Sequence, residues 1–518
     1  EFEGLTDRIV PLDLPERDYT ALAVAGPGEL YFTFRKWPET PSAMAQPSQP
    51  LHVFDLGSAR RDTELVANVG GFQPSAAADL LLYIVGQSVY TISTTDKEAE
   101  GKRIAFEGVT LEVDVEAEWR QMYDEVWRLM REYFYDHTHH GEDLTELSTH
   151  YAKYLPTVTR RADLNRLFEF MLGNVAISHL IVSGGDAALD PAPGDRIGVL
   201  GAEFSVHDNR YRIDRIYRRA AANGSNSLAL AAPLDQPGID VREGDFIWSI
   251  DGQAVDASKN LYAYLAGTAN RAIEIEVASD AQGSDRRTLT VVPLPGDNGV
   301  KRMDWFARNA QVVRDKTGGR VLYVPIAGFG ADIEGVFAAF AAASDYDGVI
   351  VDQRYNGGGI TSDSLIQMLT RDRYHHYAFP YGEPLTVPTT LVLGPKVLIT
   401  NEANGSAAET FPVMWQLAGV GPIVGKRTAG AGTGTALQYP RLVDGGDVRI
   451  PNRAGYNPQT GQWLENAGVA PDIEVELDPG AWRQGRDTQL ETAIETVLTE
   501  IANTPKEHLQ TPKPISHP

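Results

Sequence analysis

The sequence predicts a multidomain α+β protein with a β segment (1–115), a helical subdomain (116–186), a small β domain (187–296), an α/β domain (297–500) and a tail (501–518). Three observations support this prediction. A chain of 518 residues is too long for one hydrophobic core. Near residue 116 the apolar residues change from short clusters to spacings of three and four, and after residue 297 strands alternate with helices.

The first part contains short stretches rich in aromatic and β-branched residues, separated by turn residues. These stretches are YTALAVA, ELYFTFRKW, LHVFDLG, LLLYIVGQSVYTIS and RIAFEGV. Strands at this spacing are typical of a meander or of β-propeller blades. Because this length supplies only about two blades, and rings usually have about 4 to 8, we expect a partial β-propeller, the last blades of a larger one.

The second part is predicted to be helical because its apolar residues recur every three or four positions. A first helix carries Trp119, Met122, Tyr123, Val126, Trp127, Met130 and Phe134. A second helix carries Leu164, Leu167, Phe168 and Met171. We interpret both stripes as core-packing faces.

The third part combines turn signals with an alternating strand. Phe246, Trp248 and Ile250 alternate, and Asp251-Gly252 predicts a tight hairpin turn. The segment resembles a PDZ domain, in which a helix and a neighbouring strand edge form a groove for an extended peptide end. The alternative interpretation is a small β-barrel without a ligand.

The fourth part is predicted to be an open sheet covered on both faces, with its active site at the carboxyl ends of the strands. The strand candidates are GRVLYVPIA, YDGVIVD, TTLVLG and KVLIT. Helices are predicted over 331–344, from Ser362, and over the apolar stripe that ends at Ile501. The proline-containing tail that follows is predicted to be disordered.

Composition limits the partners and the chemistry. The 70 acidic residues exceed the 46 basic ones, so a net charge of −24 repels phosphate backbones and a nucleic-acid partner is not expected. No apolar run approaches the roughly 18 to 20 residues that span a bilayer, and the first residues lack signal-peptide features. We therefore predict no membrane partner. A cytoplasmic location is expected, with a removed upstream segment left open as the alternative because the chain begins without Met. The absence of cysteine excludes thiolate nucleophiles, disulfides and cysteine-ligated metals.

Two stretches follow predicted strands and contain residues suited to acyl chemistry. Ser406 lies in TNEANGSAAETFP (400–412), where it is either a nucleophile or a small polar turn residue. A serine nucleophile needs a base, an orienting group for that base, and N–H donors for the oxyanion. Candidate donors are Gly358 and Gly359 of RYNGGG and Ala407 beside the serine. The alternative for the glycines is a flexible turn.

Three motifs together resemble the tricorn protease family. GNVAISHL contains Ser178 and His179, NEANGS ends at Ser406, and WLENAGVAPDIEVEL contains Glu465. Members of that family follow β-propellers with a helical subdomain, a PDZ domain and an α/β catalytic domain related to carboxyl-terminal processing peptidases. The resemblance covers residues 118–480. It implies a serine endopeptidase of peptides or unfolded polypeptides, with Ser406 as nucleophile, His179 as base, and Ser178 and Glu465 orienting and polarising the imidazole.

This sequence differs from the related carboxyl-terminal processing peptidases in the residue that would act as the base. Carboxyl-terminal processing peptidases use a lysine about 25 residues beyond the serine, in a TFGKG-like turn. The corresponding turn here is TAGAG, which puts Ala431 at that position, and Lys426 comes five residues earlier. Because imidazole titrates near neutral pH, we assign the base to His179. Taken singly, the histidine is also explained as a structural residue, the adjacent serine as a cap and the glutamate as a surface charge.

The resemblance further implies a homo-oligomer, a hexamer in that family, which passes short products to aminopeptidases. No metal or organic cofactor is expected. The stretch DHTHHGED contains His137, His139 and His140, but it lacks the His-Glu-x-x-His spacing of zinc peptidases, so we expect solvated loop histidines. Two rival functions remain open: a PDZ-directed carboxyl-terminal processing protease, and a non-catalytic protein that binds peptides or hydrophobic ligands on the same fold.

Overall fold

The computed structural model of the chain forms two compact units, residues 1–113 and 114–518. It describes residues 11–504 apart from 26–27, 38–46, 58–60, 96–99, 107, 111, 187–195, 219–230, 331–332, 361, 383 and 437–438. The predicted disordered tail therefore lies mostly outside the described residues. Among the described helices, none combines the length and the apolar character that crossing a bilayer requires.

The first unit consists of two four-stranded antiparallel sheets, each with its strands in chain order. The first sheet contains β1 (Asp18–Val24), β2 (Glu29–Arg35), β3 (Leu51–Asp55) and β4 (Asp62–Val66). The second contains β5 (Gly71–Pro74), β6 (Leu80–Val85), β7 (Ser88–Ser93) and β8 (Lys102–Arg103). The predicted meander is confirmed. The sheets form no closed ring among the described residues, so a propeller is not seen.

The second unit begins with the predicted helical subdomain, whose helices are α1 (Val115–Tyr133), α2 (Leu144–Ala152) and α3 (Arg161–Leu172). The apolar stripes of α1 and α3 pack together in one core with Met122, Val126, Leu164 and Phe168 fully buried. The sequence did not predict α2, which has no fully buried residue. After α3 the chain runs through Ser178 and His179 into β9 (Ile181–Ser183).

A six-stranded antiparallel sheet forms the PDZ-like domain. Its elements are β10 (Ala202–His207), β11 (Arg210–Ile216), β12 (Phe246–Ile250), β13 (Gln253–Ala254), α4 (Leu261–Tyr264), β14 (Ile273–Ala278) and β15 (Arg287–Val291). Asp251 and Gly252 both have positive φ values, 47° and 74°, which suits the tight hairpin turn predicted there.

The α/β domain contains a five-stranded parallel sheet in the order β16-β17-β20-β21-β25. Its helices and strands, in chain order, are α5 (Asn298–Thr317), β16 (Val321–Pro325), α6 (Ile333–Ala341), β17 (Gly348–Asp352), α7 (Ser362–Leu369), β18 (His375–Tyr377), β19 (Leu385–Val387), β20 (Lys396–Thr400), α8 (Ala407–Leu417), β21 (Ile423–Gly425), β22 (Thr433–Gly434), β23 (Asp447–Arg449), β24 (Arg453–Ala454), β25 (Ile473–Glu474), α9 (Pro479–Arg483) and α10 (Thr488–Asn503).

Helices cover both faces of this sheet, as predicted. Val349 and Val351 pack with α6, α7 and α8 in one apolar core, whereas Ile350, between them, packs with α5 and α10 in another. Alternate residues of a strand point to opposite faces, so the continuous apolar run of β17 supplies both cores. One strand prediction is wrong, since TTLVLG forms no strand although Leu391 and Val392 are buried.

Two features of this arrangement determine where the candidate site forms. β17 and β20 are neighbours, with Asp352 paired to Ile399, so the chains leaving their carboxyl ends emerge side by side. The strand β9 pairs with β23 through Val182 and Val448, which attaches the helical subdomain to the α/β domain. The glycine run, the turn of Ser406 and the Ser178-His179 pair are thus gathered from three separate segments.

Candidate active site

Ser406 lies in the turn between β20 and α8 with a backbone conformation that non-glycine residues seldom adopt. Its φ is 58° and its ψ is −125°, and its N–H donates to the carbonyl of Ala431 at 2.8 Å. The residue is partly exposed. Among the described residues its hydroxyl makes no hydrogen bond. Backbone strain of this kind is characteristic of functional sites, and the hydroxyl is available to a substrate.

Two buried asparagines tie the Ser406 turn to the loop after β17. Asn404 Nδ2 donates to the carbonyl of Gln353 at 2.5 Å, and its Oδ1 accepts the N–H of Asn401 at 2.8 Å. Asn401 Oδ1 in turn accepts the N–H of Tyr355 at 3.0 Å. Both belong to the NEANGS stretch, yet from the sequence alone neither had an assigned role. Their bonds fix the nucleophile turn against the glycine loop.

The three predicted oxyanion donors differ in the structure. The Gly358 N–H already donates to Asn356 Oδ1 at 2.8 Å, whereas the N–H groups of Gly359 and Ala407 make no hydrogen bond in the described part of the chain. A Cβ at Gly358 would lie 2.9 Å from both Ser406 Oγ and the Ala407 nitrogen, and φ there is 109°. The position therefore requires glycine, and the N–H groups of Gly359 and Ala407, which flank this contact in sequence, have no partner among the described residues.

Ser178 and Glu465 are directly hydrogen-bonded although they are far apart in the sequence. The Ser178 N–H donates to Glu465 Oε1 at 2.5 Å and its hydroxyl to Oε2 at 2.9 Å. Thr433, which the sequence interpretation missed, donates its N–H to Oε2 at 3.0 Å and lies 2.9 Å from Ser178 through its hydroxyl. The buried carboxylate thus accepts three hydrogen bonds, two from Ser178 and one from Thr433.

The hydrogen-bond roles in this chain define the tautomer of His179. Its Nδ1 lies 2.9 Å from Ser178 Oγ. The Ser178 hydroxyl donates its hydrogen to Glu465 Oε2, so its oxygen accepts from Nδ1–H. The unprotonated nitrogen is then Nε2. Burial lowers the pKa of His179. The charge of Glu465 opposes this shift, whereas the charge of Arg453 adds to it. The imidazole is therefore neutral at neutral pH, as a general base must be.

The Ser406 turn and this hydrogen-bonded chain are attached to the same segment, residues 431–433. Ser406 binds the carbonyl of Ala431, and Ser178 and Glu465 bind Thr433. Two residues of chain span at most about 7 Å. The structure thus joins Ser178, His179 and Glu465 by hydrogen bonds and anchors Ser406 two residues from Thr433, although no hydrogen bond joins Ser406 to His179 among the described residues.

The lysine of the processing peptidases has no counterpart at this site. Ala431 occupies the corresponding position, and its Cβ would lie 3.3 Å from a Cβ built on Gly405, directly before the nucleophile. Lys426 points elsewhere, because its Nζ pairs with Glu474 at 2.7 Å and Glu476 at 2.5 Å. These partners raise the pKa of Lys426, which keeps the amine protonated.

The histidines of DHTHHGED are solvated only in part: His137 is exposed, as expected, whereas His139 and His140 make specific contacts. His140 Nδ1 donates to the carbonyl of Val175 at 2.8 Å, and its Nε2 accepts from the Tyr135 hydroxyl at 2.7 Å. The ring of His139 stacks on Phe134. No group of three or more metal-ligating side chains occurs among the described residues. The loop instead supports the segment that leads to Ser178.

Models of three families match the chain in sequential order. The tricorn protease C1 domain matches residues 115–173, the tricorn protease PDZ domain matches 198–296, and peptidase family S41 matches 320–475. The last match contains Ser406, the glycine loop and Glu465, whereas Ser178 and His179 lie five and six residues after the end of the first. The matched regions correspond to the helical subdomain, the PDZ-like domain and the α/β domain of the structure.

Similar proteins agree with these matches. The chain is 32% identical to tricorn protease homolog 1 of Streptomyces coelicolor over 98% of its own length and 48% of that protein. It is 28% identical to the tricorn protease of Thermoplasma acidophilum over 88% of its length and 42% of that protein. A crystal structure of the tricorn protease superposes on 95% of this chain and 48% of that one, with a TM-score of 0.78 and 26% identity.

The chain thus spans about half the length of the relatives it matches. Within that span it matches the tricorn protease C1 domain, the tricorn protease PDZ domain and peptidase family S41, in the same order as the predicted parts. The chain belongs to the tricorn protease family and contains a serine-type peptidase domain of family S41.

Proposed function

We propose that the protein is a serine endopeptidase that hydrolyses peptides or unfolded polypeptides through Ser406, His179, Ser178 and Glu465. The observation that carries this proposal is the chain of hydrogen bonds from Glu465 through Ser178 to His179 Nδ1, which leaves Nε2 unprotonated. These bonded residues and the backbone N–H of Ser406 are held by one short segment, residues 431–433, and the Ser406 hydroxyl has no hydrogen bond within the described part of the sequence. A neutral imidazole and an uncommitted serine are the two groups that acyl transfer needs together.

In the proposed mechanism, Ser406 Oγ attacks the scissile carbonyl carbon while its proton passes to His179 Nε2. The N–H groups of Gly359 and Ala407 stabilise the oxyanion, helped by the amino end of α8. The tetrahedral intermediate collapses as Nε2–H protonates the leaving amine, which leaves an ester on Ser406. A water molecule, deprotonated by His179, hydrolyses this ester. Ser178 and Glu465 hold the ring and stabilise its positive charge in each step.

Other aspects of the proposal concern assembly and location. Because the chain spans about half of its relatives, we propose that the two four-stranded sheets of residues 1–113 are blades of a β-propeller completed by further sheets. A hexamer, the delivery of products to aminopeptidases, and a cytoplasmic location are part of the same proposal and rest on membership of the family. The chemistry requires no cofactor.

The test is peptide hydrolysis by the full chain, with cleavage sites identified by mass spectrometry. Internally quenched peptides are presented with a free or an amidated carboxyl terminus. The proposal predicts cleavage of internal bonds at similar kcat/KM in both series, and loss of cleavage in Ser406→Ala. Cleavage that requires the free terminus would favour a PDZ-directed processing protease. Peptide binding without any cleavage would favour a binding protein and contradict the proposal.

A further inference from the structure

Glu409 is a fully buried carboxylate that the proposed mechanism does not use. It is the third residue of α8, one helical turn after Ser406, and its own N–H donates to the carbonyl of Ser406 at 2.8 Å. Glutamate is rarely buried unless its charge is compensated. A buried Glu409 therefore requires hydrogen-bond donors around its carboxylate.

Three hydrogen-bond donors surround the Glu409 carboxylate, and all belong to residues 428–431, here called the 428–431 turn. Oε1 accepts the N–H of Gly430 at 2.6 Å and that of Ala431 at 2.9 Å, and Oε2 accepts the hydroxyl of Thr428. Burial raises the pKa of Glu409, an effect that the nearby charge of Glu465 reinforces and that these hydrogen bonds oppose.

The 428–431 turn is bonded on one side to the nucleophile. The Ala431 carbonyl accepts a hydrogen bond from the Ser406 N–H, and the Ala431 N–H donates to Glu409 Oε1. Ala429 donates its N–H to the carbonyl of Asn404, just before the nucleophile. The carbonyl of Ala431 is thus bonded to Ser406 and its N–H to Glu409. Because Glu409 is itself bonded to the Ser406 carbonyl, these three residues form a closed hydrogen-bonded ring.

The same turn is bonded on its other side to the segment that carries Glu465. The Gly430 carbonyl accepts the N–H of Asn466 at 2.7 Å, and Thr428 Oγ1 accepts the N–H of Val469 at 2.7 Å. Asn466 Nδ2 then donates to the carbonyl of Ala176, two residues before Ser178. The turn therefore connects the nucleophile with the hydrogen-bonded chain of the base.

We propose that Glu409 is a positioning residue, which holds the 428–431 turn and so sets the placement of Ser406 relative to the chain of Glu465, Ser178 and His179. Its contribution to catalysis rests on the proposed peptidase function. Its structural effect does not, because it is defined by the hydrogen bond between the Ser406 N–H and the Ala431 carbonyl. A displacement of about 1 Å at a reacting group lowers rates by about 100-fold.

The experiment compares Glu409→Ala and Glu409→Gln with Asp245→Asn. Glutamine keeps an acceptor for the two backbone N–H groups and has an N–H for Thr428 Oγ1. Asp245 is a matched control, because it is also a buried carboxylate that accepts a backbone N–H, from Arg242, but it lies in the PDZ-like domain. The measurements are kcat, KM, the rate of Ser406 labelling by a fluorophosphonate, thermal stability, and amide exchange at Ser406.

We expect Glu409→Ala to lower kcat and the labelling rate at least about 30-fold with KM within about 3-fold, and Glu409→Gln to recover most of the loss. Amide exchange at Ser406 is expected to become at least about 10-fold faster in Glu409→Ala. Asp245→Asn is expected to lower thermal stability without changing labelling or exchange at Ser406. If Glu409→Ala does not fold, Thr428→Val, which removes one donor, is expected to give the same changes in smaller measure.

Unchanged exchange and labelling at Ser406 in a folded Glu409→Ala protein would overturn the proposal. So would equal changes in Asp245→Asn. If the wild type neither cleaves peptides nor labels at Ser406, the proposed peptidase function fails, but exchange at Ser406 still decides whether Glu409 positions this residue.

Discussion

Two serines of this molecule, Ser406 and Ser178, have opposite surroundings. Ser178 Oγ has three partners at 2.9 Å, namely His179 Nδ1, Thr433 Oγ1 and Glu465 Oε2. Ser406 Oγ has no hydrogen bond among the described residues, and its backbone is held at a φ of 58°. A hydroxyl with three partners must break existing bonds to react, whereas a free hydroxyl does not. The difference supports Ser406 as nucleophile and Ser178 as an orienting group.

The two serines also differ in how the fold holds them. Ser406 stands between a buried parallel strand and a helix, and local segments on both sides fix it. Ser178 follows a helix and is held by contacts across about half of the sequence, including Glu465 and Thr433. The nucleophile therefore depends on one domain, whereas the base depends on the packing of two. This comparison predicts that variants near the nucleophile act locally and that variants of the helical subdomain act through placement of His179.

The largest expected effect separates the two serines directly. Ser406→Ala should lower kcat/KM by about 10⁴-fold or more and abolish fluorophosphonate labelling, because the nucleophile is lost. Ser178→Ala should lower kcat/KM only about 10- to 100-fold, since the base is retained but held less well. Steady-state kinetics and labelling followed by mass spectrometry measure both. Labelling of Ser178, or a larger loss in Ser178→Ala, would reverse the assignment.

The next effect tests the close approach of the glycine loop to Ser406. Gly358→Ala should lower kcat about 100-fold or more, because its Cβ meets the Ser406 side chain and φ is 109°. Gly357→Ala is the matched control, since a Cβ there has no neighbour within 4 Å, and a change of less than about 3-fold is expected. Similar losses in the two variants would mean that loop flexibility matters rather than contact with the nucleophile.

A smaller effect, with a pH dependence, tests the chain that holds the base. Glu465→Gln should lower kcat about 10- to 50-fold because the imidazolium loses its counter-charge. Activity needs neutral His179, so kcat/KM rises with pH through the pKa of this group. Burial lowers that pKa in the wild type, so the increase in kcat/KM should occur below about pH 6.5. Glu465 opposes this shift, so its removal should move the rise to still lower pH. A move to higher pH would contradict the proposed role.

The smallest effect concerns the helical subdomain. His140→Ala removes the hydrogen bond to the Val175 carbonyl, near Ser178. One such bond contributes about 1 kcal/mol, so we expect a loss in kcat of about 3- to 5-fold with little change in KM. His150→Ala, on the surface of α2, is the control and should have no effect. Equal kcat values for wild type and His140→Ala would show that this loop does not support the base.

Several features could be predicted because local pattern determines them. The stripes of α1 and α3, the alternation of β12 and the buried run of β17 follow from the periodicity of helices and strands. Ser178, His179, Ser406 and Glu465 were selected through motifs that resemble a family. Their roles remain a proposal, although the structure brings three of them within hydrogen-bonding distance.

Other features could not be predicted because they depend on contacts between distant segments. Thr433 is an ordinary residue in sequence, and its role appears only where it meets Ser178, 255 positions earlier. The helix α2 has no fully buried stripe, so no periodic signal marked it. The buried Arg354 forms ion pairs with Asp352 and Asp487. No pattern in the neighbouring sequence indicated that this loop residue would be buried. Glu409 is another such case, since all three of its donors come from one distant turn.

The central claim is that His179 Nε2 serves Ser406, and a peptidyl chloromethyl ketone tests it most directly. Such a reagent is held by the nucleophile at its carbonyl and alkylates the adjacent base. We predict alkylation of His179 at Nε2 in the wild type, located by mass spectrometry, and no alkylation of His179 in Ser406→Ala. Alkylation of another histidine such as His140, or alkylation of His179 that persists in Ser406→Ala, would contradict the claim.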